Sequence, residues 1–198
     1  NFCGLHVHVD AADLTPAQVG RIIAHWIKVE YTLGMMMPAR RRHNEFCRSL
    51  SQSGKWSFDR SQRYTGEQLW DLMKPQDLSP HDNGDRRVNL NLVNYARGVW
   101  YPAKHQRKTL EFRWAEGTLD GTTVKNWLRL FVNFVETCKD RPMPCDLHSL
   151  ELEEALTALG LHHEDADGKF VVLSAGLLET KTWLLERVIR HLEEPEAK

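Results

Sequence analysis

The sequence predicts an α+β fold, an antiparallel sheet with helices packed on it. Residues 88–94 and 108–114 alternate apolar and polar side chains, as strands with one polar face do. The short connection between these two segments favours antiparallel neighbours. Long segments with apolar residues at helical spacing precede and follow them, and this mixture of strands and helices is typical of the α+β class.

The first strand and the first helix are predicted before Pro38. Residues 3–10 alternate weakly and are rich in Val, which indicates a strand. Thr15 to Gln18 then have the form of a capping box with Pro16 at the first helical position. A helix of about five turns is predicted from the apolar stripe that follows. That stripe consists of Val19, Ile22, Ile23, Trp26, Ile27 and Leu33.

The middle of the chain predicts two loops and two helices. Residues 39–64 are polar and basic and predict a long loop, and loops of such length inside a domain are often functional. A short helix is predicted near 66–73, and Pro and Gly residues mark a second loop before residue 88. Beyond the two alternating segments, Asp120 or Thr122 is predicted to cap a strong helix with a buried stripe from Val124 to Val135.

The character of the sequence changes at about residue 148. Ser149 is predicted to cap a short helix that Gly160 closes, and residues 169–173 predict a short strand. A final helix is predicted over 177–192, with an apolar stripe of Leu177, Leu178, Leu184, Leu185, Val188 and Leu192. We therefore divide the chain into a core, residues 1–145, and a helical C-terminal extension, residues 146–198, that packs on it.

Composition excludes several classes of protein. The 198 residues are 41% hydrophobic and 27% charged, as in ordinary globular domains, and the net charge of -1 argues against a nucleic-acid-binding protein. No apolar run approaches the roughly 20 residues that span a bilayer, so no membrane association is expected. The four cysteines form no C-x-x-C pair and are interpreted as thiols in a reducing compartment. We expect a cytoplasmic protein, with Cys3 as a small buried residue.

Two pairs of residues could carry chemistry. His6 and His8 are two apart on a predicted strand, so their imidazoles project to the same face and could bind a metal, or a metal and a phosphate. Glu111 and Arg113 have the same relation on another strand, where a carboxylate and a guanidinium side by side suit a metal-bound phosphate. Taken alone, each pair could equally be a polar surface feature.

Further candidates lie in the predicted loops and on the Asn-rich strand. Arg40, Arg41 and Arg42 could form a phosphate clamp, although a charge run is more often a solvated surface. Arg87, Asn89 and Asn91 could contact a substrate or could be polar surface positions.

These residues resemble the motifs of one enzyme family. Asn1-Phe2-Cys3-Gly4-Leu5-His6-Val7-His8 is similar to the Gly-x-His-x-His segment of glutamine synthetases, and Glu111-Phe112-Arg113 is similar to their later Glu-x-Arg strand. The chain resembles still more the amidoligases, a small-domain branch of that superfamily. Their Arg-rich loop, Asn-Leu-Asn strand and Glu-Phe-Arg-x-x-x-Gly-Thr-Leu run correspond in order to Arg41 with Asn44 and Cys47, to residues 89–91 and to residues 111–119.

The resemblance implies a fold and a reaction. The fold would be like the catalytic domain of glutamine synthetase, with a curved antiparallel sheet, and residues 1–145 would be its catalytic core. The reaction would be ATP-dependent formation of an amide from a carboxylate and an amine through an acyl phosphate, with Mg2+ (or Mn2+) neutralising the phosphates. Small molecules or peptides would supply the carboxylate and the amine.

The same resemblance implies roles for individual residues. His6 and Glu111 match metal ligands, His8 matches a residue near the nucleotide phosphates, and Arg113 matches a stabiliser of the phosphate or the transition state. Catalytic roles thus fall to Glu111 and Arg113. Nucleotide or substrate contacts fall to Arg41, Asn44 and Arg87.

One motif of the family is not found in this sequence. An earlier Glu-x-Glu strand supplies further metal carboxylates in the family, and the sequence opens at Asn1 without one. We therefore expect a fold that lacks its N-terminal strand or strands. A partner segment is expected to supply Glu-x-Glu, or the chain forms a homo-oligomer, and the chain alone is expected to be incomplete or inactive.

Two other functions remain open from the sequence. A metal-dependent hydrolase or oxygenase could use the His-x-His strand, although a barrel of repeated strand–helix units needs about 250 residues. A non-catalytic binding or structural domain could have retained the ligase fold without the carboxylates.

Overall fold

Three short antiparallel strands form the sheet, and the strand that carries Glu111 lies in its centre. The strands are β1 (Val7–Asp10), β2 (Leu90–Asn91) and β3 (Thr109–Phe112), and their order in the sheet is β1-β3-β2. His8 lies opposite Glu111 on one side, and Asn91 lies opposite Glu111 on the other. The strands found within the two alternating segments, β2 and β3, are therefore antiparallel neighbours, as predicted.

The structure is a computed structural model that describes residues 4–42, 44–51, 56–75, 87–104, 107–162 and 173–192. Cys3 and nearly all of the predicted strand at 169–173 lie outside these ranges. Within them the class is α+β, as predicted, with a three-stranded antiparallel sheet and packed helices. None of the helices in these ranges combines the length and apolar character needed to cross a membrane.

Seven helices accompany the sheet in the described part of the chain. They are α1 (Pro16–Met35), α2 (Ala39–Arg42), α3 (Gly66–Met73), α4 (Val93–Trp100), α5 (Gly121–Cys138), α6 (Leu152–Ala158) and α7 (Ala175–Leu192). Helices α1 and α5 contact each other, and α5 contacts β1. Helix α6 packs on α1 and α5, and α7 packs on the same two helices.

Helix starts were largely predictable because their caps are local in sequence. The capping box of α1 is confirmed: the Thr15 hydroxyl accepts the Gln18 amide, and the Gln18 side chain accepts the Thr15 amide. Asp120 caps α5 by accepting the amides of Thr122 and Thr123. The predicted helix at 66–73 is also confirmed.

Aromatic side chains fill the space between the sheet and the helices. The Trp26 ring of α1 meets Phe112 of β3 edge-on, with centroids 5.1 Å apart. Phe112 in turn stacks on Phe131 of α5 at 4.5 Å. All three side chains are at most 1% exposed. Because these contacts occupy one face of the sheet, the opposite face is left for polar residues.

The prediction of a strand over 88–94 was wrong beyond Asn91. Only Leu90 and Asn91 pair with β3, and α4 begins at Val93. The side-chain oxygen of Asn91 accepts the Val93 amide at 2.9 Å, so the Asn turns the backbone out of the sheet. The alternation of apolar and polar residues over 88–94 did not reveal that the Asn91 side chain would bind the Val93 amide and end the strand.

Smaller corrections concern the first strand, the long loop and the C-terminal helices. Regular pairing of the first strand starts at Val7, with an isolated bridge between Gly4 and Glu116. The long loop contains α2.

Ser149 does not cap α6, which begins after Glu151. Leu150 is tied to α1 by its amide, which donates to the Lys28 carbonyl, and by its carbonyl, which accepts the Thr32 hydroxyl. This backbone therefore cannot be helical at 149–150. Helix α6 does end before Gly160, as predicted.

The final helix is confirmed, but not its whole apolar stripe. Leu184 and Val188 are buried, whereas Leu178 is 56% exposed and therefore was wrongly placed in the stripe. The side chain of Leu192 lies outside the described part of the structure.

Candidate functional site

The polar face of the sheet gathers four side chains around one carboxylate. Because alternate residues of a strand point to opposite faces, Leu110 and Phe112 enter the core while Glu111 points away from it. The group, which we call the Glu111 cluster, consists of His6, His8, Asn91, Glu111 and Arg113. Four of the five are the members of the two predicted pairs, His-x-His and Glu-x-Arg, and Asn91 is the fifth.

One oxygen of Glu111 faces three cationic or titratable groups. Its Oε1 lies 3.0 Å from His6 Nδ1, 3.4 Å from Arg113 Nη1 and 3.8 Å from His8 Nε2. The Glu111 side chain is only 9% exposed, whereas the two His side chains are 40% and 44% exposed. The carboxylate is thus shielded from beneath and opens to solvent on the side of the imidazoles.

The other oxygen of Glu111 is held by Asn91. Asn91 Nδ2 donates to Glu111 Oε2 at 2.6 Å, and Asn91 is itself 3% exposed. Since the Asn91 side-chain oxygen is occupied by the Val93 amide, the amide group has a fixed orientation. Asn91 therefore fixes the rotation of the carboxylate and leaves Oε1 to the exposed side.

Thr109 orients His8 from the same face of the sheet. The Thr109 hydroxyl lies 3.1 Å from His8 Nδ1 and accepts a hydrogen bond from Asn94 Nδ2 at 3.4 Å. With Nδ1 occupied, His8 presents Nε2 toward Glu111. Sequence reasoning overlooked Thr109, although its position two residues before Glu111 on the same strand was a usable signal.

The electrostatics of the cluster favour a neutral His6. Burial lowers the pKa of His6 below its ordinary value, and the positive charge of Arg113 lowers it further, whereas the negative charge of Glu111 raises it. The neutral imidazole is the form that binds metal ions. The lowered pKa therefore favours the form of His6 that can bind a metal ion.

The donors of the cluster fit a hard divalent cation only in part. His6 Nδ1 and Glu111 Oε1 offer one nitrogen and one oxygen at adjoining positions. Over the described residues, no group of three or more His, Cys, Asp or Glu side chains is arranged as a metal centre. Two protein donors are compatible with Mg2+, which usually keeps several waters and binds one or two carboxylates together with substrate phosphates.

Arg113 has hydrogen-bonding capacity left over. Its Nη1 contacts Glu111, but its buried Nε has no hydrogen-bond partner among the described residues. A buried donor without a partner costs free energy, so the described residues leave part of the hydrogen-bonding capacity of Arg113 unused.

Arg41, predicted to contact nucleotide or substrate, is placed beneath the site. The side chain is 6% exposed, and its Nη2 donates to the carbonyls of Arg113, Trp114 and Ala115 at 2.8 to 3.2 Å. In this position the guanidinium holds the backbone that follows β3.

Asn44 and Arg87, the other two predicted contacts, do not touch the Glu111 cluster in any described interaction. The Asn44 side chain accepts the Phe46 amide at 2.8 Å, and the guanidinium of Arg87 lies 5.0 Å from the centre of the Phe46 ring. Both are therefore organised around the loop at residue 46.

Asn89 is separated from Asn91, although the alternation suggested that the two share a face. Its side-chain oxygen accepts the indole N–H of Trp26 at 3.0 Å, and its Nδ2 donates to Glu30 at 2.7 Å. Because Asn89 is fully buried against α1, it supports the core and does not face the Glu111 cluster.

Comparison with known proteins gives one match. The family described as "Putative amidoligase enzyme" matches residues 1–135, a range that contains the whole Glu111 cluster. No curated protein and no solved structure matches the chain. The family description indicates an enzyme of the ligase type. Since the match covers more than half of the 198 residues, the chain belongs to the amidoligase family.

Proposed function

We propose that this chain carries the catalytic site of an ATP-dependent carboxylate–amine ligase that forms an amide or peptide-like bond through an acyl phosphate. The observation that carries the proposal is the convergence of His6, His8 and Arg113 on Glu111 Oε1. A carboxylate among potential cation and phosphate ligands suits phosphoryl transfer, in which positioning and charge stabilisation supply most of the catalysis. The family match supports the ligase part of the proposal.

We assign His6 and Glu111 to a divalent cation, Mg2+ or Mn2+. Bound there with nucleotide, the cation would neutralise charge on the phosphates. Asn91 keeps Oε1 directed to the open side by holding Oε2 at 2.6 Å. His6 supplies a neutral imidazole, because burial and Arg113 lower its pKa.

We assign Arg113 and His8 to the transferred phosphoryl group. Arg113 Nε has no hydrogen-bond partner among the described residues, and Arg113 directly follows β3, two residues after Glu111. His8 presents Nε2 on the exposed side, where it can donate to a phosphate oxygen. Arg41 acts in this scheme by holding the backbone of residues 113–115 and not by touching nucleotide.

The remaining metal carboxylates of the reaction would come from a Glu-x-Glu strand outside the described residues. A partner segment could bring it to the open side of the Glu111 cluster, and a homo-oligomer is a separate possibility for the assembly. A likeness of this fold to the glutamine synthetase catalytic domain is part of the same proposal, as are the small-molecule or peptide substrates.

The test is ATP-dependent turnover in the presence of Mg2+, with a Glu-x-Glu segment supplied to the chain. We expect release of ADP only when a suitable carboxylate and amine are both supplied. Glu111→Gln keeps the shape of the side chain and removes its charge, so turnover should fall by at least about 100-fold. Glu136→Gln, which removes an exposed carboxylate on α5, is the matched control and should retain activity. Turnover retained by Glu111→Gln would contradict the proposal.

A non-catalytic binding domain of ligase origin is the second candidate. It is favoured by the single carboxylate in the Glu111 cluster and by the lack of a three-ligand metal group over the described residues. This candidate predicts binding of ATP with Mg2+ and no turnover, even after a Glu-x-Glu segment is supplied. The hydrolase and oxygenase alternatives lose support, because the described strands form a three-stranded sheet and no barrel.

A further inference from the structure

A buried ion pair joins the C-terminal helix to the segment after β3. Arg187 Nη2 of α7 lies 2.7 Å from Glu116 Oε1, and the two side chains are 5% and 14% exposed. The Arg187 guanidinium also lies 5.1 Å from the centre of the Trp183 ring and 5.5 Å from that of Trp127. Arg187 is thereby fixed by aromatic rings of α5 and α7 and by one carboxylate.

Glu116 belongs to the backbone that positions His6. Gly4 and Glu116 form an antiparallel bridge, and the Leu5 amide donates to the Ala115 carbonyl at 3.0 Å. The approach is close: a Cβ on Gly4 would lie 2.8 Å from Arg41 Nη2. Residues 4–5 lead directly into His6, so the position of Glu116 determines where the imidazole meets Glu111.

We propose that Arg187 is a positioning residue, which through Glu116 holds the Gly4–Leu5 segment in register and so places His6 beside Glu111. The metal-binding part of this inference rests on the proposed function, whereas the placement of His6 does not. The family match ends at residue 135, so α7 lies outside the matched range. In this proposal α7 helps to position a residue of the site that lies inside that range.

Helix α7 also contacts α2, which holds the same backbone. Arg42 Nη2 donates to the His191 carbonyl at 2.5 Å, and Arg42 adjoins Arg41, which holds the carbonyls of residues 113–115. The helix is thus attached both at Glu116 and at α2.

The ion pair between Arg187 and Glu116 is better suited to fixing the positions of these side chains than to stabilising the fold. Arg187 Nε and Nη2 and Glu116 Oε2 have no hydrogen bond of good geometry among the described residues, so the 2.7 Å contact is ionic and poorly supported. A buried ion pair of this kind contributes little to the net free energy of unfolding. It fixes the two side chains relative to each other, because separating them would leave an uncompensated buried charge.

The first experiment follows the His6 ring in the metal-free chain by NMR of 13C-labelled histidine, with His6→Asn used for assignment. Glu116→Gln is isosteric and removes the charge, and Arg187→Met keeps apolar contact with the Trp rings. We expect both variants to shift the His6 signal. Glu179→Gln removes the surface pairs of α7 with Arg129 and Lys125 on α5, so it loosens the same helix contact without touching Glu116 and should leave His6 unchanged.

The second experiment titrates Mn2+ by electron paramagnetic resonance. Arg187→Met and Glu116→Gln should each weaken Mn2+ binding about tenfold, the usual effect of removing a group that orients a ligand. A His6 signal that stays in place in folded Glu116→Gln, or that shifts equally in Glu179→Gln, overturns the inference. If Arg187→Met does not fold, Glu116→Gln alone decides. If the unmodified chain binds no Mn2+, the cation site of the proposed function is contradicted. The His6 signal in the metal-free chain then still tests the role of Arg187.

Discussion

At the scale of single residues, one nearly buried carboxylate organises the candidate site. The two oxygens of Glu111 have different surroundings: Oε2 accepts a short hydrogen bond from Asn91, and Oε1 faces His6 and Arg113. Buried charged groups are usually paired, and Arg113 places a positive charge 3.4 Å from Oε1. Burial, together with the same Arg113 charge, lowers the pKa of His6.

Asn91→Ala tests whether the orientation of Glu111 matters. The substitution leaves Oε2 without its donor and frees the carboxylate to rotate, so Mn2+ affinity should fall about tenfold. The free energy of unfolding should decrease by about 1–3 kcal/mol, because a buried acceptor and the Val93 amide lose their partners. Asn94→Ala is the matched control, since Asn94 makes only a 3.4 Å hydrogen bond to Thr109. Equal losses in the two variants would contradict the prediction.

We expect the free energy of unfolding to depend on pH through His25, which lies outside the candidate site. Burial lowers its pKa to about 4, and the charge of Arg141 adds to this effect. The ordinary pKa of 6.5 applies in the unfolded chain, so between pH 6.5 and 4 the unfolded state binds more protons than the folded state. The contribution of His25 is therefore complete above pH 6.5 and is lost as the pH falls toward 4, by up to about 3 kcal/mol.

Urea unfolding at a series of pH values measures this contribution. His25→Gln does not titrate and can still donate to the Pro142 carbonyl, which His25 contacts at 3.1 Å. We expect a shallower loss of stability in the variant between pH 6.5 and 4. The same slope in both proteins would mean that His25 is not the group responsible.

The residues of the site were predictable only where strand periodicity was enough. His6 with His8, and Glu111 with Arg113, point to one face, as the period of two along an extended strand predicts, although His6 and Arg113 lie one residue outside β1 and β3. Asn91 and Arg41 could not be assigned in this way. Whether Asn91 donates to Glu111 depends on the register of β2 against β3, and the burial of Arg41 depends on contacts with residues more than 70 positions away.

At the scale of elements, helix α4 shows where local patterns fail. Helices α1 and α5 carry long apolar stripes and strong caps, and both were predicted. Helix α4 has eight residues and no side-chain cap at its first residue, and it follows directly on a strand of two. The turn from strand to helix depends on the Asn91 side chain, which accepts the Val93 amide. The alternating pattern of residues 88–94 is equally compatible with a strand that continues past Asn91.

The contact between α1 and α3 gives a sharp prediction about glycine. A Cβ on Gly20 would lie 1.8 Å from the Gly66 carbonyl oxygen, so the two helix backbones touch. Gly20→Ala should reduce the free energy of unfolding by about 3 kcal/mol or more, because a backbone atom cannot move aside as a side chain can. Gly121→Ala is the control: a Cβ there meets nothing within 4 Å, and the better helix former should be neutral or add up to about 1 kcal/mol. Thermal or urea unfolding distinguishes the two, and a Gly20→Ala protein as stable as the unmodified one would show that α1 and α3 are not in backbone contact.

At the scale of the whole molecule, the division at residue 145 cuts across many interactions. Lys28 Nζ of α1 lies 2.6 Å from Asp146, and the Thr32 hydroxyl donates to the Leu150 carbonyl. Trp127 of α5 meets Trp183 of α7 edge-on at 5.0 Å. The part of the chain after residue 145 therefore covers apolar surface of α1 and α5, and the site and this extension share one core.

Removal of residues 146–198 should accordingly disrupt the core and not merely shorten the chain. Truncation after Cys145 exposes Trp127, which is fully buried, and leaves Glu116 without the charge of Arg187. Exposing a large apolar side chain costs about 2 kcal/mol. Several such side chains, together with the lost ion pair, amount to a cost comparable with the whole free energy of unfolding of a typical domain. We expect a truncated chain without a cooperative thermal transition and with rapid proteolysis inside α5. A truncated chain that melts cooperatively near the temperature of the full chain would instead make residues 1–145 an independent domain.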